Sequence, residues 1–177
     1  MNSLDQITHE DSPILRPSLE YAAILAMLGI LILAFTHYLN IDPNNSMLKA
    51  FNWISAIVSV FWFVWHYKNK RNNSFLRFGT GIRLSALTGL FTGIFSAIGI
   101  YIFMQWIVPN YSTLMLESTI KNLQKQGQSD QVIEQSIPYI KMFITPIAIA
   151  GIFFIITIFS YLIIGLVATA IMKKERA

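Results

Sequence analysis

Ionisable side chains set close to long apolar runs are the first places to look for chemistry, because a charge there is costly unless it is paired or used. Four such residues stand out: Glu20, His37, His66 and Arg83. Glu20 and Arg83 lie at the entries of the first and third apolar runs, at ends that a membrane topology would place on the same side. They are expected to meet as an interfacial ion pair, the alternative being that each snorkels alone to the headgroups. His37 closes the first run and His66 the second. Consecutive runs cross in opposite directions, so these two histidines face opposite sides and cannot share a metal. His9 stands alone in a polar tail, and the chain has no cysteine, which excludes disulfides and thiolate ligands. No metal site and no cofactor are expected, since a metal needs several converging ligands. The hydroxyls of Ser85, Thr88, Thr92 and Ser96 have no base in their own run and make no nucleophile. FGTGIR at 78–83 contains G-x-G but lacks the third glycine and follows no strand, so it is not a nucleotide loop. No catalytic residue emerges, and the expectation is a protein that is not an enzyme.

The elements that carry these residues are apolar spans. Of 177 residues, 54% are hydrophobic and 12% charged, about half the charged share of a soluble domain. Mean hydropathy is +0.53. Four runs, about 19–38, 48–67, 84–108 and 144–172, reach the roughly 20 residues that a helix needs to cross a bilayer. The net charge of +4 does not point to nucleic acid, because the basic residues flank apolar runs. Nine of the 13 Lys and Arg fall on the side of the two termini and the second connection, against Lys49, Lys121, Lys125 and Lys141 on the other. The positive-inside rule then places both termini in the cytoplasm. FWFVWHY at 61–67 suits an aromatic belt at the cytoplasmic interface. The domains read as a cytoplasmic tail over 1–17, a four-span membrane domain over 18–172, and a cytoplasmic tail over 173–177. NIDPNNS is a short turn, so spans one and two are expected to pair as an antiparallel hairpin.

The only sizeable segment outside the spans is 109–143. Pro109 suits a first helical position, Leu116, Ile120 and Leu123 recur at helical spacing, and Gly127 can end the helix in a left-handed conformation. Ser129 or Asp130 then caps a second helix, in which Ile133, Ile137, Ile140 and Ile144 share a face. Pro138 and Pro146 are expected to kink or break it. The result is an extracytoplasmic helical hairpin. Its apolar faces pack on each other, lie in the outer headgroup layer, or dock a partner.

Span three has a distinctive wheel. At about 100° per residue, Ser85, Thr88, Gly89, Thr92, Gly93, Ser96 and Gly99 fall on one side, with larger apolar residues opposite. Ser85, Gly89, Gly93 and Ala97 repeat every four residues, and Gly89 and Gly93 form a GxxxG. Without a hydrophobic force between helices in lipid, close backbone approach through small residues is a main source of packing. This face is expected to be a helix-packing surface, against another span of the chain, a second copy or another protein.

FLRFGTGIRLSALTGL, YIFMQWIVPNY and LQKQGQSDQVIEQSIPYIKMFITP, followed by a hydrophobic helix, resemble the bacterial membrane family catalogued as domain of unknown function 4199. Phe78, Gly79, Pro109, Gly127, Ser129, Ile133, Lys141, Met142, Phe143 and Pro146 stand where that pattern places them, over roughly 53–172. Spans one and two match only in hydropathy. The resemblance implies an all-α, four-span inner-membrane protein and supplies neither catalytic residues nor an activity. The expected function is accessory or structural, through helix packing and the hairpin, with membrane lipid and a homo-oligomer or larger membrane complex as partners. The alternative is a subunit of an oligomeric channel or small-solute transporter.

Overall fold

The computed structural model describes residues 13–42 and 45–174. His9 and most of the 1–17 tail, Pro43 and Asn44 of the first connection, and Arg176 lie outside the described residues. The elements are helices: α1 (Leu15–Tyr38), α2 (Ser46–His66), α3 (Phe78–Ile102), α4 (Tyr111–Lys125), α5 (Asp130–Phe143) and α6 (Pro146–Met172). A π-helical turn, Tyr67–Arg71, extends α2, and another, Phe103–Ile107, extends α3. With those turns included, α1, α2, α3 and α6 are each long and apolar enough to cross a membrane. The chain is a multi-pass, all-helical membrane protein with a short helix pair between its third and fourth spans.

Local chemistry sets the boundaries. The Asn45 side chain caps α2 by accepting from the Met47 and Leu48 amides at 2.8 and 3.3 Å. Thr145 caps α6 by accepting from the Ala148 amide at 3.2 Å, and Pro146 takes the first helical position, where no donor is lost. Ser129 caps α5, and Gly127 turns the chain at φ +77°. Pro138 lies within α5 without ending it. Pro109 departs from expectation: it ends a span instead of opening a helix. A residue before proline is driven from helical geometry, Val108 is extended at φ −133° and ψ 72°, and α4 starts two residues later.

Packing centres on α3, which lies against α6 along its length and against α1 on another side, while α2 packs on α6. A Cβ added at Gly81 would lie 2.3 Å from Thr169, one at Gly165 2.3 Å from Ser85, one at Gly89 2.7 Å from Tyr161, and one at Gly93 3.0 Å from Phe154. The small residues of α3, at four-residue steps, therefore meet a descending series on antiparallel α6. Gly99 belongs elsewhere, since its Cβ would strike Ile30 of α1 at 2.1 Å. The expected pairing of spans one and two is corrected by this arrangement. They run antiparallel, but each packs chiefly on the α3–α6 pair, where the small residues allow close approach.

The two ends of the bundle are held differently. Tyr21, Leu25, Val60, Phe63, Val64, Tyr67, Leu76, Leu84, Tyr161 and Ala168 form a buried cluster towards the end that carries the termini. There a two-way backbone bridge between Leu76 and Lys174, at 2.9 and 3.0 Å, ties the α2–α3 loop to the chain after α6. At the hairpin end, Ile100, Phe103, Met104, Val108, Tyr111, Ile144 and Ile149 form a second cluster.

Candidate functional site

α1 and α2 approach one another at the terminal end through Tyr21. Its ring lies 5.7 Å from Trp62 and 5.8 Å from Phe63, and its hydroxyl is 2.8 Å from Nδ1 of His66. Away from that clasp the two helices flank a cavity of about 550 Å³, floored by α3 and α6 and covered by α4. The size falls within the roughly 300–1,000 Å³ range of small-molecule sites. Along α1 the lining runs from Leu25 to His37 and on to Asp42, and aliphatic side chains make much of the wall.

The polar groups divide by depth. At the hairpin end stand His37, Asp42, Glu117, Ser118 and Lys121. Ser118 donates to the Asp42 carboxylate, which joins α4 to the α1–α2 connection. The His37 ring stands edge-on to Phe103 and Tyr111, at 5.8 and 5.9 Å. Burial pushes the Tyr111 phenol above its ordinary value of 10.0, so it stays uncharged at neutral pH. Deeper, Ser55 and Ser59 of α2, Thr92 and Ser96 of α3, and Thr157 and Tyr161 of α6 bring six hydroxyls from three helices to one space with no charged side chain among them. Thr92 is 4% exposed, and its hydroxyl faces the Tyr161 phenol without making a well-formed hydrogen bond.

The residues singled out in the sequence distribute as follows. Ser85, Thr88, Gly89 and Gly93 are buried on α3, and Ser85 returns its hydroxyl to the Gly81 carbonyl at 2.9 Å. Thr92 and Ser96 line the cavity instead. Ala97 is half-buried, and Gly99 contacts α1. The expected Glu20–Arg83 pair is replaced. Glu20 bonds Arg16 at 3.1 Å and Arg71 on the π turn, whereas Arg83 is exposed. Arg71 wins because the π turn carries it back towards α1, while Arg83 points away from α3's packed faces. In the hairpin, Ile133 is buried, and Leu116, Ile120, Leu123, Ile137 and Ile140 are half-buried. Leu116 and Ile140 pack on the hairpin-end cluster. No group of three His, Asp or Glu able to hold a metal occurs among the described residues. Sequence reasoning missed Gly81, Gly165 and the polar line Asn52, Ser55, Ser59 on α2. The spacing of three and four in that line was a readable signal.

Comparison with known proteins matches the chain to a family described as protein of unknown function (DUF4199), over residues 20–174. The chain belongs to this family. The match takes in nearly all of α1 and the whole of α2, beyond the 53–172 over which the resemblance was read. The family's extent therefore includes both helices that flank the cavity. No curated protein and no solved structure matches the chain.

Proposed function

We propose that the chain is a non-enzymatic accessory protein of the bacterial inner membrane, with both termini in the cytoplasm, working through contacts made by its hairpin. The observation that supports this reading is the outward face of α5. Tyr139, Met142 and Phe143 are 69%, 69% and 62% exposed, at spacings that place them side by side on a helix. Large apolar side chains grouped at the edge of a span suit contact with another membrane protein. The small face of α3 is occupied within the chain, so α5 is the better surface for a partner. A photoreactive residue in place of Met142, activated in native membranes, should give the same few protein adducts in repeated experiments. The same residue in place of Ile163, a lipid-facing position on α6, should give lipid adducts only. Lipid adducts alone at both positions would defeat the reading.

The cavity favours a second reading, a subunit of a channel or small-solute transporter, because hydroxyl-lined paths can be wet. Solute movement into proteoliposomes that depends on an ion gradient would select it over the accessory role.

A further inference from the structure

The hydroxyls at the deep end of the cavity are not returned to the backbone of their own helices. In an apolar setting a Ser or Thr on a helix usually returns its proton to a backbone carbonyl three or four residues earlier. Ser18, Thr36, Ser85, Thr119 and Ser136 all do so, at 2.7–2.9 Å. Thr92 does not; its hydroxyl is fully buried against the Tyr161 phenol without a well-formed hydrogen bond, and Thr88 on α3 and Thr169 on α6, outside the cavity lining, are likewise buried without one. Ser55, Ser59, Ser96 and Thr157 show no hydrogen bond among the described residues. A polar group without a partner inside the hydrocarbon layer costs free energy, so a set of them turned to one cavity points to a ligand that accepts their protons.

The surroundings restrict what that ligand is. No charged side chain lines the deep part, so an ionic group would have no counterion there. From Leu25 to His37 the cavity follows α1 for about 18 Å at the helical rise, more than half of a roughly 30 Å hydrocarbon layer. Its flanks are two spans that meet only near one end, and Gly29 of α1 adds no side chain to the opening; nothing lies within 4 Å of where its Cβ would be. Such a site is reached from the bilayer. We propose that the cavity binds an uncharged, carbonyl-bearing amphiphile taken from the membrane. Its carbonyl oxygen accepts hydrogen bonds from the half-buried Ser59, Ser96 and Thr157 hydroxyls, and its hydrocarbon body lies along the aliphatic wall of α1.

Two lipid-soluble sources share this chemistry: a quinone ring with an isoprenoid chain, and a neutral acyl ester. Native mass spectrometry of the full chain released from detergent tests the proposal, with three probes: a quinone bearing one isoprene unit, monoolein, and decane as a hydrocarbon without a carbonyl. One molecule per chain of the quinone or of monoolein, at concentrations where decane does not bind, is expected, and which of the two binds tells ring carbonyl from ester. Ser96→Ala combined with Ser59→Ala removes two donors from the lining and should weaken binding about tenfold. Gly29→Leu, which meets no neighbour at its Cβ, should abolish binding while the protein keeps its thermal transition. Equal retention of decane, unchanged binding in both variants, or no one-to-one adduct with either carbonyl probe would overturn the proposal.

Discussion

A glycine in a span can be there because a neighbour needs the space, or for no packing reason. Gly89 and Gly151 separate the two cases. A Cβ at Gly89 would sit 2.7 Å from the Tyr161 Cβ and 3.6 Å from the Ile158 backbone, and neither can yield without moving α6. At Gly151 nothing lies within 4 Å. Gly89→Leu should therefore destabilise the protein by about 1–3 kcal/mol, as overpacking does, and Gly89→Ala should cost part of that. Gly151→Ala should cost nothing, because it adds a methyl group only to the outside of α6. Thermal unfolding in detergent measures both, and equal tolerance would remove the close α3–α6 contact from the argument. The charges divide in the same way. Glu20 and Arg71 are each about a third exposed, so their pair is worth no more than about 1 kcal/mol. A double-mutant cycle with Glu20→Gln and Arg71→Gln should show coupling, whereas Glu20→Gln and Arg83→Gln should add independently. Coupling to Arg83 alone would restore the pair expected from sequence.

At the scale of elements, the sequence announced what depends on neighbours along the chain. Ser129 before α5, Pro146 at the break between α5 and α6 and Gly127 between α4 and α5 act within one turn, as their residue types suggest, and Asn45 before α2, which the sequence showed only as part of a turn, acts in the same way. Asn45→Ala should cost about 1 kcal/mol, because two α2 amides lose their acceptor. A Ser or Asp at that position should recover most of it in the same unfolding measurement, and no loss in Asn45→Ala would mean that the first turn of α2 is held by other contacts. The π turns after α2 and α3 were not legible, since an extra residue in a turn leaves the hydropathy pattern almost unchanged. The wheel of α3 showed that small residues share a side. It could not show that Gly99 serves α1 while Gly89 serves α6, because the partner's angle of approach is not written in one helix. The cavity escaped for a related reason. Its deep part takes two hydroxyls from each of three helices, and a search for acids, bases and metal ligands passes over uncharged residues such as Ser55 and Ser59.

The whole molecule has a direction that the packing alone does not give. The termini, the α2–α3 loop and the Tyr67–Arg71 turn gather at one end, while α4, α5 and the charged part of the cavity lining gather at the other. Lys68, Lys70, Arg71, Arg77 and Lys173 lie towards the first, and the hairpin end balances Lys121, Lys125 and Lys141 with Glu117, Asp130 and Glu134. Insertion favours retention of the more basic end in the cytoplasm, so the hairpin and the charged part of the cavity lining are expected on the outer side. The chain has no cysteine, so a single thiol reports its position without background. Gln128→Cys lies at the exposed tip between α4 and α5, and Lys70→Cys at an exposed position on the π turn after α2. On intact cells, an impermeant maleimide that reaches the outer face of the membrane should modify Gln128→Cys at once and Lys70→Cys only after the membrane is opened. The reverse pattern would invert the molecule and turn the charged part of the cavity lining to the cytoplasmic side. The hairpin's partners would then have to be sought there.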